Sequence, residues 1–191
     1  MRPTASLALL GLALLSTCAA PGPSLGPAPN LPASLANTVA DPARTAINNT
    51  AAVFGNPASI AGRPVQAANA ISQLEWLTVT LASDQRFTAM PPTVAGSVRE
   101  GRDAVRQAFG VAPGTTPQAA VTAFDGAAAA FGTNNRTAAE ASLATVTGPA
   151  GAARAAALLS ALPVIPQAAA GTAAASNGLV QMDNQAGPRF R

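Results

Sequence analysis

The chain has 191 residues, of which 49% are hydrophobic and only 10% are charged, with a formal net charge of +3. It contains no histidine, no tyrosine and one cysteine, and all eleven basic residues are arginine. These absences exclude Ser-His-Asp triads, histidine-bearing zinc or di-iron sites and lysine Schiff bases, so we predict no cofactor and no metal.

The isoelectric point near 11.0 does not indicate nucleic-acid binding. Nothing titrates between the carboxylates and the guanidinium groups, so a small positive charge persists over a wide pH range and raises the isoelectric point. The arginines are also scattered along the chain instead of forming a basic stripe. We therefore predict no nucleic-acid partner.

The first residues are typical of an export signal. Arg2 precedes an apolar run over residues 5–15 (ASLALLGLALL), and small residues follow it. This run is too short to span a bilayer, because a spanning helix needs about 20 residues. The pattern predicts a signal peptide over residues 1–17.

The only cysteine follows this apolar run. Residues 15–18 (LSTC) resemble the lipobox of bacterial lipoprotein signal peptides, although Thr17 stands where Gly or Ala is usual. The resemblance implies that Cys18 is lipidated and becomes the first residue after cleavage, and Ala19 in place of Asp after it implies the outer membrane. The alternative is ordinary cleavage after residue 20, which would leave a soluble periplasmic protein and is disfavoured by Pro21 directly after the cut.

Residues 18–32 carry five prolines, which favour an extended and semi-rigid spacer. The spacer would hold a domain that starts near Ala33 away from the lipid surface. We expect a single helical domain over residues 33–191 whose last residues are disordered.

Proline and glycine divide this domain into helices. Asp41 and Thr116 are each followed by proline, which is typical of an N-cap with Pro at the first helical position, and Thr137 with Glu140 matches a capping box. No segment alternates convincingly as a strand would. We predict an all-α fold, an alanine-rich antiparallel bundle of about five to seven helices. The predicted helices are 42–54, 64–86, 92–109, 117–131, 138–147, 150–162 and 167–182.

The predicted helix 64–86 contains the only tryptophan. Trp76 lies about 200° around the helix from Leu74, away from the main apolar face. Either this helix is central and buried on two sides, or the face with Trp76 meets a ligand or partner. The binding hypothesis places Trp76 and Phe87 in a site with Glu75 and Arg86 at its rim. The competing interpretation, which we favour, is that Trp76 supplies bulk to a small core.

The eight carboxylates offer little organised chemistry. Asp103 is spaced for helix-surface ion pairs with Arg99 and Arg106. Glu100 shares a helix face with Asp103, so these two carboxylates could pair at a metal ion, but we favour a solvated surface. No two acids form a recognisable catalytic arrangement.

Three functions remain. The first is a non-enzymatic envelope lipoprotein, a periplasm-facing helical module tethered to the membrane that binds an envelope protein. The second is a small-molecule or lipid-binding helical bundle in the periplasm. The third is a carboxylate-dependent enzyme. We favour the first because it requires the fewest additional features.

Overall fold

The computed structural model describes residues 26–187. Over this range the chain is all-helical, with no strand, and seven α-helices pack together as a bundle, which confirms the predicted fold class. The helices are α1 (Pro42–Gly55), α2 (Pro64–Ser83), α3 (Pro92–Phe109), α4 (Pro117–Gly132), α5 (Arg136–Thr147), α6 (Pro149–Ser160) and α7 (Pro166–Ala186). Short 3-10 turns cover Ala33–Leu35, Pro57–Ile60 and Gln85–Phe87.

Proline begins every one of these α-helices except α5. Its fixed φ suits the first helical position, where its missing N–H removes a donor that has no intrahelical acceptor. Two of the helices also have the predicted side-chain caps: Asp41 accepts from the backbone N–H groups of Ala43 and Arg44, and Thr116 accepts from that of Ala119. Local sequence therefore accounts for most of the helix starts.

The C-terminal ends predicted for α6 and α7, at 162 and 182, are wrong, because these helices end at Ser160 and Ala186. Two other predicted boundaries are wrong for local reasons. Helix α2 ends at Ser83 and not at 86, because the Asp84 side chain accepts from the backbone N–H of Arg86 and starts a 3-10 turn. Helix α5 begins at Arg136 and is capped by Asn135, which accepts from the N–H of Ala138 at 3.0 Å. The capping box predicted at Thr137 does not form.

Helix α2 is the central element of the bundle. It packs against α1, α3, α4 and α6. Between Ala67 and Leu81 every residue is buried except Asn69 and Trp76, which are partly buried. Of the two arrangements considered for this helix, burial on more than one side is the one observed.

Helices α3 and α7 approach each other closely at two glycines. A Cβ added to Gly101 would lie 2.9 Å from the Cα of Ala168, and one added to Gly171 would overlap the carbonyl oxygen of Ser97. Glycine normally weakens a helix interior. Here it permits backbone contact between the two helices, which explains two glycines inside long helices.

The end of the proline-rich segment docks onto the bundle. Pro29 and Pro32 are buried. The backbone N–H of Asn30 donates to Gln118 Oε1 at 2.7 Å, and that of Ala33 donates to Asp125 Oδ2 at 2.8 Å, both on α4. The packed domain thus starts about residue 29 rather than at Ala33.

Cys18, the signal region and the first part of the predicted spacer lie outside the described residues, as does the C-terminal end, residues 188–191. Within residues 26–187, no helix combines the length and the apolar character that crossing a membrane requires.

Candidate functional site

The four residues of the binding hypothesis lie in different surroundings. Trp76 is partly buried on α2 and packs against the apolar core. Phe87 follows α2 in a 3-10 turn and is itself a core residue, 7% exposed. The guanidinium carbon of Arg86 lies 5.6 Å from the centre of the Phe87 ring, so these two residues are brought together. Glu75 is buried, and it is therefore not at the rim of a surface site.

Glu75 forms a buried ion pair with Arg106 of α3. Arg106 donates from Nε to Oε1 at 2.6 Å and from Nη2 to Oε2 at 2.7 Å, and its Nη1 donates to the carbonyl oxygen of Thr115 at 2.8 Å. The side chain of Glu75 is 1% exposed and that of Arg106 is 17% exposed. Burial raises the pKa of Glu75, while the hydrogen bonds and charge of Arg106 act against that rise. The Glu75 carboxylate therefore links α2 to α3 through Arg106.

The partner predicted for Arg106 was Asp103, and that prediction is wrong. Asp103 instead accepts from Arg102, at 2.9 Å from Nε and 2.6 Å from Nη2. Helical spacing suggested a pair within α3, but the bundle places the carboxylate of Glu75 against Arg106 from another helix. No signal in the local sequence marks a partner 31 residues away.

Arg86 joins two chain segments at the surface. It donates to Asp84 from Nη2 at 2.7 Å and to Asp41, the N-cap of α1, from Nη1 at 2.6 Å. Hydrogen bonding from Arg86 lowers the pKa of Asp84. Desolvation acts to raise the pKa of Asp41, but the backbone N–H groups of Arg44 and Ala43 together with Arg86 outweigh it, so this pKa is lowered. The cluster is structural, since each charge has a partner.

A more open polar site lies between α1 and α2. We call it the α1–α2 cleft; its volume is about 370 Å³. Most of its lining comes from one face of each helix, and the chain before α1 and before α2 completes it. The lining residues are Ser34, Asn49, Ala52, Val53, Ile60, Arg63, Gln66, Asn69, Ala70 and Gln73.

Gln73 is the unusual residue of this cleft. It is 3% exposed, and its Nε2 donates to Ser34 Oγ at 3.0 Å. Among the buried side-chain nitrogen and oxygen atoms of residues 26–187, only Gln73 Oε1 has no hydrogen-bond partner. An unsatisfied buried acceptor typically costs about 1–3 kcal/mol, so such atoms are uncommon unless they serve another purpose.

The sequence contained a signal for this cleft. Gln66, Asn69 and Gln73 recur at spacings of three and four residues, which places them on one face of a helix that is otherwise mostly apolar. What the sequence could not show is that α1 places Asn49 opposite this polar stripe.

Two other concavities in residues 26–187 contain no buried polar atom that lacks a hydrogen-bond partner. One of about 390 Å³ lies at the α2–α3 connection, and its lining mixes polar residues such as Asp84 and Gln85 with apolar ones such as Phe87 and Met90. The other, of about 150 Å³, is lined in part by Asp41 and Arg86, which bond to each other. Trp76 lines none of the three.

Residues 26–187 contain no group of three or more histidine, cysteine, aspartate or glutamate side chains placed to hold a metal ion. The fold and the site therefore define an all-α helical bundle with a small polar cleft between its first two α-helices. Comparisons with protein-family models, curated proteins and solved structures found no match to this chain.

Proposed function

We propose that this chain is a lipid-anchored envelope protein, attached through Cys18 to the periplasmic side of the bacterial outer membrane. The observation that carries the proposal is the lipobox-like sequence at residues 15–18, placed directly at the end of a short apolar run. A multiply acylated cysteine would be a stable anchor, since about two lipid signals suffice for lasting membrane attachment.

The packing of Pro29 and Pro32 against the bundle limits the distance between the lipid anchor and the domain. It leaves residues 18–28 as the link between the lipid and the packed domain. An extended chain covers at most about 3.5 Å per residue, so the link reaches at most about 40 Å. The domain would therefore act close to the inner face of the membrane.

The domain would act by binding and not by catalysis. Support for this comes from the carboxylates, which are the acid–base groups that the composition leaves available. Glu75 is held by Arg106, Asp125 by Ser72 and the backbone of Ala33, and Glu140 by Arg136. Four others each accept a hydrogen bond from an arginine: Asp41, Asp84, Asp103 and Asp183. The eighth carboxylate, Glu100, is exposed on α3. We propose an envelope protein as the binding partner, to be sought by crosslinking of the native chain in its membrane.

The anchor is tested by mass spectrometry of the mature N-terminus and by membrane fractionation after expression in a bacterial host. We expect an acylated Cys18 at the N-terminus and recovery of the protein with the outer membrane. Cys18→Ser should release the protein from that fraction or leave the signal uncleaved. Thr17→Gly, which restores the usual residue of the lipobox, is the matched control and should keep the anchor. A free amino group at Pro21 or beyond, with no acyl mass, would contradict the proposal.

A further inference from the structure

We infer that the α1–α2 cleft binds a small carboxylic acid that also carries hydroxyl or amide groups, with Gln73 accepting a hydrogen bond and Arg63 pairing with the carboxylate. The inference goes beyond the proposed anchor and does not depend on it, because every lining residue lies in the packed domain. Four features of the cleft lead to this chemistry.

The first feature is the unused amide atom of Gln73. Its Oε1 has no partner, whereas its Nε2 donates to Ser34. Rotating the amide by half a turn would let the Ser34 hydroxyl donate to the oxygen, but it would leave Nε2 without a partner. In either orientation this lining residue keeps one buried polar atom without a partner among residues 26–187, and we infer that a bound molecule supplies that partner. A hydroxyl or amide group can satisfy it, because each can supply both a donor and an acceptor.

The second feature is a set of three further carboxamides in the lining. Asn49, Gln66 and Asn69 make no side-chain hydrogen bond to other residues in the described part of the chain. Each offers one acceptor and two donors. Their number favours a ligand with several uncharged hydrogen-bonding groups over a purely aliphatic one.

The third feature is Arg63, the only charged residue in the lining. Its Nη2 donates to the carbonyl oxygen of Ser59 at 2.6 Å, and it forms no ion pair with a carboxylate of residues 26–187. The remaining donors of the guanidinium suit a carboxylate. One guanidinium balances one negative charge, which favours a monoanionic carboxylate over a dianionic phosphate.

The fourth feature is size and wall character. A volume of about 370 Å³ is near the lower end of the range of small-molecule sites, roughly 300–1,000 Å³. Val53, Ile60 and the alanines 52 and 70 provide an apolar wall for C–H groups. The cleft therefore fits a single sugar acid or an acylated amino acid rather than a lipid chain.

Isothermal titration calorimetry of the purified chain with two acids distinguishes a sugar acid from an acylated amino acid as the ligand. D-glucuronate represents the hydroxy acids and N-acetyl-L-alanine the amido acids; D-glucose and N-acetyl-L-alaninamide are their uncharged counterparts, and inorganic phosphate tests for general anion binding. We expect at least one acid to bind about tenfold or more tightly than its counterpart, since a charge-assisted bond is worth about 1.5–3 kcal/mol. The acid that binds identifies the source.

Variants then assign the binding to the cleft. Arg63 is exposed, so Arg63→Gln should leave the fold intact and abolish the preference for the acid over its uncharged counterpart. Arg154→Gln, at an exposed position on α6, is the matched control and should change nothing. Gln73→Met removes the amide with the unpaired oxygen and should weaken binding of the acid and of its uncharged counterpart alike. If Gln73→Met does not fold, Asn69→Asp takes its place in the test. A carboxylate in the cleft should weaken binding of the acid and leave binding of its uncharged counterpart unchanged.

The inference is wrong if neither acid binds, if phosphate binds more tightly than both, or if Arg63→Gln leaves the preference for the acid unchanged. Side-chain amide signals of Gln73 in nuclear magnetic resonance spectra, assigned by their loss in Gln73→Met, give a second readout. They should shift when the preferred acid binds and stay in place with phosphate.

Discussion

Replacing Arg106 with methionine would leave the carboxylate of Glu75 buried without its partner. Methionine keeps an unbranched apolar stem but donates no hydrogen bond, and Glu75 is only 1% exposed. Removing one partner of a buried ion pair typically costs about 3–5 kcal/mol. In a domain of this size 1 kcal/mol corresponds to about 2–4 °C, so we expect the melting temperature to fall by about 6–20 °C at neutral pH.

The loss should depend on pH with a definite sign. Burial raises the pKa of Glu75 and Arg106 opposes the rise, so removing Arg106 should raise this pKa further. A group whose pKa is higher in the folded state contributes stability that is fully present below its unfolded pKa, about 4.3 for glutamate, and is lost as the pH rises through the folded value. Arg106→Met should therefore be least harmful near the unfolded pKa and most harmful at neutral pH.

Thermal unfolding followed by circular dichroism at acid and neutral pH measures both effects. Arg136→Met is the matched control, because Arg136 and Glu140 form an exposed pair at i and i+4 that is worth about 0.3–0.5 kcal/mol. Combining Glu75→Leu with Arg106→Met should recover most of the stability, since apolar replacements of a buried pair are often neutral. If Arg106→Met costs no more than Arg136→Met at neutral pH, or costs the same at both pH values, our account of the pair is refuted.

Two further predictions concern the contact between α3 and α7 and the N-cap of α1. Gly171→Ala should destabilise the protein by about 1–3 kcal/mol in thermal unfolding, because the new Cβ would overlap the Ser97 carbonyl and lie 3.0 Å from Val98 Cα. The control is Gly55→Ala, where nothing lies within 4 Å, and it should be neutral or stabilising. Equal losses of stability in both variants would contradict this reasoning. Asp41→Ala should cost about 0.5–2 kcal/mol through loss of the N-cap. Because the pKa of Asp41 is lowered in the fold, its contribution is present above the unfolded pKa and lost as the pH falls, so a cost that stays constant into acid would count against it.

The helices could be predicted because their signals are local. Asp41 before Pro42 and Thr116 before Pro117 satisfy backbone donors within one turn, whatever the rest of the chain does. The prediction failed where two local caps compete. Asn135 caps α5 in place of Thr137, and both residues are good N-caps, so the sequence alone did not rank them.

The α1–α2 cleft was not predicted, because none of the four residues in the binding hypothesis lines it. The sequence drew attention only to Trp76, although Asn69 and Gln73 lie on the same side of the helix as that residue. It did not show that Gln73 would be buried with an unused oxygen, because that depends on the 3-10 turn at Ser34 packing against α2. It also placed Glu75 at a surface, because helical spacing alone does not reveal how many neighbours cover a helix.

By itself, the sequence determined the all-α class, most helix boundaries, the exclusion of histidine- and lysine-dependent chemistry and the resemblance to a lipoprotein signal around Cys18. These follow from composition and from contacts within a few residues. Only the tertiary structure decided the partners: Glu75 with Arg106, Gly171 against the backbone of α3, and the α1–α2 cleft. The physical reason is that alanine-rich helices are similar on many faces, so their register depends on a few distant glycines, charges and large side chains that meet only when the bundle has formed.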